Sequence, residues 1–413
     1  MKILFAIIMI ICLFHHAIGQ SANKTMKHLP DTGETTGFTS TFGEDNDYSI
    51  YTPFLVDNGD GTITDTITGL MWQKTDGGEM TIENARLYCN TLSLGGDSNW
   101  RLPTIHEGLS ILNLNHLNPA LDTNFFTYTT AGYWWSADIQ IGDTTKIWVT
   151  NAGGGVGNHP KSETISAGGV KRFHVRAVRD VTAPPIVTQH FTDNGNGTVT
   201  DEVTNLIWQK ASLQDTITWE QALTFADTLT IAGYTDWRLP NIKEIESIND
   251  EQYYNPSINP IFEVGTGGKH FWSSTTQINQ VTNAWYLDGL YGLTTYIAKT
   301  RNLYTLCVRG GQSLPTYAKT LIKNNLNTCI YPNPASSGIT LSYAASEAIT
   351  VRIAVQNEAG VVVEDDVTDF KNGGGHHIVD TGNWPAGVYF YSVQVTHKDR
   401  SVQYENGKFI VTK

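Results

Sequence analysis

The residues whose spacing promises the most chemistry stand in FLVDNGDGTITDTITGLMWQK, residues 54–74. Asp57, Asp60 and Asp65 place three carboxylates close together, a hard-oxygen set that could hold calcium. A calcium loop of the EF-hand kind needs oxygen donors at alternate positions before its glycine. Here the alternate positions after Asp57 are Gly59 and Gly61, which bring no side-chain oxygen. Asn58-Gly59 and Asp60-Gly61 are turn dipeptides between Phe54/Val56 and Ile63, the pattern of a hairpin whose glycines take φ > 0. The stretch recurs 136 residues on as HFTDNGNGTVTDEVTNLIWQK, where Asn196 replaces an acid while Gly195 and Gly197 stay. The expectation is a turn and no metal, with calcium at Asp57, Asp60 and Asp65 as the weaker alternative.

Other residues could bind. Arg172, His174 and Arg176 alternate on a strand, with Lys161 and Lys171 near them in sequence. Such a stripe can hold sulfate or carboxylate groups, and a solvated strand face accounts for it equally well. Trp134 and Phe271 each precede a tryptophan, Trp135 and Trp272, that recurs in register. Successive strand residues face opposite sides. With Trp135 and Trp272 inward, Trp134 and Phe271 turn outward or into a cleft, where a sugar ring could stack. For catalysis there is no His-Glu-x-x-His, Gly-x-Ser-x-Gly, Walker loop or Cys-x-x-Cys. The expectation is a binding protein, without cofactor, and not an enzyme. His376-His377 reads as a turn.

These residues need elements to hold them. Trp100-Arg-Leu-Pro-Thr-Ile-His-Glu107 recurs as Trp237-Arg-Leu-Pro-Asn-Ile-Lys-Glu244, and Phe173–Arg179 is echoed by Leu303–Arg309. A period of 136 residues is too long for a solenoid and marks a duplicated domain. Thr218…Gln221, Thr104…Glu107 and Asn241…Glu244 are capping boxes that start helices, so the glutamates read as caps. Trp219, Ala222, Leu223, Ala226 and Leu229 follow at helical spacing, as do Ile82, Ala85, Cys89 and Leu92. Strands close each repeat, and the expected class is α+β. Trp72/Trp208, Trp100/Trp237, Trp135/Trp272 and Trp148/Trp285 read as core.

The layout is a signal peptide at 1–19, a polar flexible leader at 20–52, and repeat 1 at 53–180. A proline-stiffened joint at 181–189, repeat 2 at 190–311, a linker at 312–327 and a β-sandwich at 328–413 follow. Alternating strands are expected at 339–343, 351–356, 361–363, 388–395 and 408–412. The formal net charge of −13 argues against nucleic acid as a partner. No stretch beyond the signal approaches the length of a membrane-spanning helix.

The repeats resemble the C-terminal domain of the Legionella collagen-like adhesin, on the Asp-Asn-Gly-x-Gly-Thr start, the Trp-Arg-Leu-Pro centre and the Trp-Ser and Val-Arg ends. The resemblance implies two tandem C-type-lectin-like domains and an adhesin recognising extracellular polysaccharide or a surface protein. Formylglycine-generating enzymes share that superfamily, and an enzyme of that type is an alternative, although their copper-binding cysteine pair is absent from both repeats. A purely structural surface protein is a further alternative. The family's usual helix–strand cysteine pair is halved differently in each repeat, as Cys89 opposite Ala177 and Cys307 opposite Ala226. Two buried free thiols are expected, against a Cys89–Cys307 bridge; Cys329 stands apart. Tyr331-Pro-Asn-Pro334, Trp384-Pro-Ala-Gly-Val-Tyr-Phe390 and the end Lys408–Lys413 resemble the type A sorting domain of type IX secretion in Bacteroidetes, with an Ig-like sandwich. That implies the type IX machinery as a partner, and release or surface attachment.

Overall fold

The computed structural model describes residues 26–48, 50–181, 187, 189–250, 252–310, 329–343, 348–357, 362–369, 375–397 and 402–412. The signal peptide, most of the joint at 181–189 and the linker at 312–327 lie outside them. The chain divides into two compact units, 1–314 and 315–413.

In repeat 1 the hairpin Leu55–Asp57/Thr62–Asp65 continues to Leu70–Gln73 and Val178–Asp180, one four-stranded sheet. Gly59 and Gly61 take φ of +78° and +90°, and their counterparts Gly195 and Gly197 take +70° and +85°, as the turn requires. Helix α1, Ile82–Thr91, buries Ile82, Ala85 and Cys89, and α2, Ile105–Ser110, follows Trp100-Arg-Leu-Pro. A second sheet runs Val156–Pro160, Lys146–Asn151, Ala131–Ile139 and Arg172–His174, the last pair parallel. Repeat 2 reproduces this with α3, Trp219–Thr228, and α4, Ile242–Ser247. Its sheets hold Phe191–Asp193, Thr198–Asp201, Ile207–Gln209 and Val308–Arg309, then His270–Thr276, Asn283–Asp288 and Leu293–Ala298.

The α+β, C-type-lectin-like expectation is not met. Among the described residues four short α-helices stand against twenty-two strands, gathered into several small sheets, and the chain is mostly β. Capping boxes and helical spacing mark where helices begin, but these helices run only six to ten residues. The Gly-rich turns leave more chain to short strands than to helix.

Two structural findings were hidden from local reading. The first is that the repeats share one interior: Trp72, Leu109 and Trp148 belong to the same apolar cluster as Trp208, Ile245 and Trp285. Smaller cores sit under α1 and α3, around Trp135 and Trp272. All eight recurring tryptophans are buried.

The second is that the leader is packed. Met26, Leu29, Thr32, Glu34, Glu44, Asp45, Tyr48 and Ile50 are buried, and Asp45–Asp47 forms a 3-10 turn. Polar side chains hold it, so no apolar period announced it. It meets repeat 1 where the Leu114 amide donates to Thr32 O (2.8 Å), and repeat 2 where Lys243 Nζ donates to Asp31 O (2.8 Å).

Cys89 and Cys307 are buried free thiols in separate cores, beside Ala177 and Ala226 respectively. Burial pushes the Cys89 thiol up to about 12 and raises Cys307 further.

The second unit has two antiparallel sheets. One holds Cys329–Tyr331, Gly338–Tyr343 and Gly375–Asp380; the other holds Val362–Asp369, Ala348–Asn357, Gly387–His397 and Val402–Val411. They pack face to face, since Ile339 and Val379 of the first share a core with Val355, Tyr389 and Phe409 of the second. His376 and His377 are strand residues, not a turn, and His377 Nδ1 lies 3.3 Å from Asp366 Oδ2. Among the described residues no helix is long and apolar enough to cross a membrane.

Candidate functional site

The predicted aromatic pair does not face a cleft. Trp134 is 5% exposed and Phe271 fully buried. The alternation itself holds: Trp135 and Trp272 enter the cores under α1 and α3, while Trp134 and Phe271 enter the interior shared by the repeats. At Trp134–Trp135 and Phe271–Trp272 both faces of the strand are covered, so neither aromatic is available for stacking.

The basic stripe is split between surface and interior. Arg172 is exposed but pairs with Glu79. His174 and Arg176 are buried and converge on Asp76. His174 Nδ1 lies 2.9 Å from Asp76 Oδ1, Trp134 Nε1 donates to Asp76 Oδ2 at 3.0 Å, and Thr129 Oγ1 donates to the same oxygen. Arg176 donates to Gln73 O (2.7 Å) and Lys74 O (2.6 Å), lies over the Phe126 ring, and sits 3.6 Å from Asp76 Oδ2. Burial alone would raise the Asp76 carboxyl. The His174 hydrogen bond, the Arg176 charge, Thr129 and Trp134 outweigh it and hold the group at about 2. Burial lowers Arg176 to about 10 against the opposing pull of Asp76. A cavity of about 10 Å³ beside Arg176, Trp134 and Trp72 has room for a single water.

This polar centre belongs to repeat 1 alone. Repeat 2 places Ser212, Phe271, Tyr304 and Leu306 at the positions of Asp76, Trp134, His174 and Arg176. Asp76 was missed in the sequence, although its exchange for Ser212 in step with the other three was a readable signal.

The three carboxylates of the calcium alternative are each engaged in a separate turn. Asp57 accepts from the Gly59 amide (3.0 Å) and pairs with Lys74; Asp60 accepts from the Thr62 amide (3.0 Å) and hydroxyl (2.6 Å). Asp65 is buried and accepts from the Ile67 (3.0 Å) and Thr68 (3.3 Å) amides. Each carboxylate closes its own turn. Among the described residues no three His, Cys, Asp or Glu side chains gather to hold a metal.

The Trp-Arg-Leu-Pro centre is structural. Glu107 and Glu244 cap α2 and α4 as expected, and each also takes a bidentate contact from the arginine six residues before it. Arg101 reaches Glu107 at 2.6 and 2.7 Å, and Arg238 reaches Glu244 at 2.5 Å twice.

What the surface does present is tyrosine. Tyr253, Tyr254 and Tyr291 are 41%, 57% and 40% exposed. The Asn255 amide donates to Leu290 O (2.8 Å), which sets the loop carrying Tyr253 and Tyr254 beside the one carrying Tyr291. Tyr254 rests on Gly142 of repeat 1, where an added Cβ would lie 3.5 Å from the ring. Ile141, next to that glycine, is also exposed. Apolar surface is thus gathered where two loops of repeat 2 meet one of repeat 1. No sequence period marks it, because all three loops are irregular.

A duplicated β-rich unit followed by a separate two-sheet unit defines a modular β protein. The chain belongs to the Lcl C-terminal domain family, whose model matches residues 61–179 and again 197–309. Residues 329–410 match the secretion system C-terminal sorting domain. This is the type IX tail, so the protein is delivered to the outer cell surface or secreted. Among curated proteins none matches significantly. Similar solved structures include CopC from Methylosinus trichosporium OB3b, at 12% identity and a TM-score of 0.17 over 21% of this chain and 93% of that one. Another is dimeric latent PorU from Porphyromonas gingivalis, at 10% identity and a TM-score of 0.19 over 64% and 26%. A family 76 glycoside hydrolase from a bovine Bacteroides thetaiotaomicron strain gives 14% and 0.16 over 21% and 19%. Likeness at this level carries no argument about fold or activity.

Proposed function

We propose that the paired repeats are a non-catalytic binding module, carried out of the cell by the tail, that holds extracellular polysaccharide on the tyrosine platform. The supporting observation is that Tyr253, Tyr254 and Tyr291 are exposed on two loops of repeat 2 that a backbone hydrogen bond joins, with Tyr254 resting on Gly142 of repeat 1. A tyrosine ring offers an apolar face at low entropic cost and a hydroxyl at its rim, which suits the C–H face and hydroxyls of a sugar ring. Exposed apolar groups in one contiguous place are what binding surfaces show. The net charge of −13 favours neutral sugars over polyanions.

A glycan array with the full chain tests this. Neutral glycans are expected to bind, and Tyr254→Ala with Tyr291→Ala is expected to weaken them about tenfold or more, leaving thermal stability within about 0.5 kcal/mol. Binding unchanged in that double variant would move the site elsewhere. A probe starting at residue 53 would lack the packed leader and is not a fair substitute.

A further inference from the structure

The leader carries more buried acid than the cations around it can neutralise. Asp31, Glu34, Glu44 and Asp45 are 8%, 5%, 1% and 2% exposed. Asp45 Oδ2 accepts from Thr32 Oγ1 (2.8 Å) and Thr275 Oγ1 (2.6 Å). Glu44 accepts from the Phe38 amide (2.7 Å) and Thr276 Oγ1 (2.5 Å), and Lys299 Nζ stands 3.7 Å away. Glu34 Oε2 accepts from the Thr276 amide (3.2 Å), while its Oε1 is buried with no hydrogen-bond partner. Asp31 takes the Thr32 (2.7 Å) and Ile50 (3.3 Å) amides.

The charged groups facing this set come from every packed element. Repeat 1 brings Asp65. Repeat 2 brings Glu220, which accepts from Thr39 Oγ1 (2.9 Å), and the pair Arg238–Glu244, already neutral between themselves. It also brings Lys243 and Lys299. Asp47 within the leader caps its turn through the Gly43 and Glu44 amides. Four buried carboxyls therefore meet two lysines. Buried charge without a partner is costly enough that the group takes up a proton instead.

We propose that residues 31–48 are a proton-held strap: part of this carboxyl set is protonated while the strap lies on repeat 2, and ionisation loosens it. Burial raises Asp31 to about 6 and Asp45 to about 8, and raises Glu34 well above its ordinary value. For carboxyls raised in the closed state the hold is full below the ordinary carboxyl value and is lost as pH rises to about 8. Lys243, lowered by burial to about 8, acts with opposite sign above that value, so loosening is greatest near pH 8.

Among the described residues no strap covers the matching face of repeat 1. Arg101 and Lys161 stand where repeat 2 has Arg238 and Lys299, and the amides of Lys161 and Lys299 donate to Thr145 and Thr282 at 2.9 Å each. The Arg101 side chain is 34% exposed where Arg238 is 1%. Release of the strap gives repeat 2 the open, cation-bearing face that repeat 1 already presents.

Hydrogen exchange of the full chain from pH 5 to pH 8, corrected for intrinsic rates, tests the strap. Opening at amides 38–48 is expected to rise about tenfold or more, with amides of Ala131–Ile139 unchanged. Glu34→Gln with Asp45→Asn, which imitate the protonated acids, is expected to flatten the dependence. Flat exchange in the wild type, equal opening of the control strand, or a dependence retained in the variant each overturns the proposal. Should the double variant not fold, Glu34→Gln alone is expected to reduce the dependence, and the wild-type comparison still decides.

Discussion

His106 and Lys243 hold the same position in the two repeats, and each reaches across to the last turn of the other's helix. His106 Nε2 lies 3.1 Å from Glu246 O at the end of α4, and Lys243 Nζ lies 2.9 Å from Ser110 O at the end of α2. Helix-terminal carbonyls lack intrahelical partners and carry the negative end of the helix dipole, so a cation or N–H donor satisfies them. A duplicated sequence has here become a pseudo-symmetric clasp around one core.

Lys243 also binds Asp31 O, so its removal leaves two buried carbonyls unsatisfied. Lys243→Met is expected to cost about 2–3 kcal/mol and His106→Ala about 1 kcal/mol. Calorimetry of the full chain would read both. Equal costs would mean that the strap contact adds nothing.

The two Trp-Arg-Leu-Pro arginines should differ in worth. Arg238→Ala strands Glu244 in a buried site and is expected to cost about 3–5 kcal/mol. Arg101 is one-third exposed, and water can reach the gap it leaves. Its alanine variant is expected to cost about half as much. Chemical denaturation of the two variants makes the comparison.

The Asp76 centre should tolerate exchange only as a set. Asp76→Asn leaves Arg176 buried without its countercharge, at about 3 kcal/mol. Replacing Asp76, Trp134, His174 and Arg176 together by repeat 2's Ser, Phe, Tyr and Leu is expected to regain more than half of that, since coupled groups are not additive. Because the Asp76 carboxyl is lowered from 3.8, its stabilisation is present above that value and fades as pH falls toward 2. The gap between wild type and Asp76→Asn should therefore close on acidification, which denaturation at several pH values would follow.

Deleting residues 328–413 removes both sheets of the second unit and with them the sorting tail. The truncated protein is expected to stop before the outer membrane. Surface labelling of whole cells checks this, and undiminished labelling would contradict the role of the tail.

Local grammar was legible in the sequence. The Asn-Gly turns, the capping boxes of α2, α3 and α4, the buried tryptophans and the strand alternation at Trp134/Trp135 all rest on neighbours within a few residues. So did the duplication and the sorting tail, which are patterns of order along the chain. The tertiary structure decided which faces are covered. Alternation says that Trp134 and Trp135 diverge, but only the tertiary structure turns Trp134 into an interior and sets its indole on Asp76, 58 positions earlier. The leader looked free because its anchors are carboxyls and hydroxyls whose partners, Thr275 and Thr276, come more than two hundred residues later. Arg176 looked like a surface cation until Asp76, a hundred positions earlier, was brought beside it. Hydrogen bonds and ion pairs between distant segments leave no period in the chain, because each depends on where two unrelated stretches come to rest.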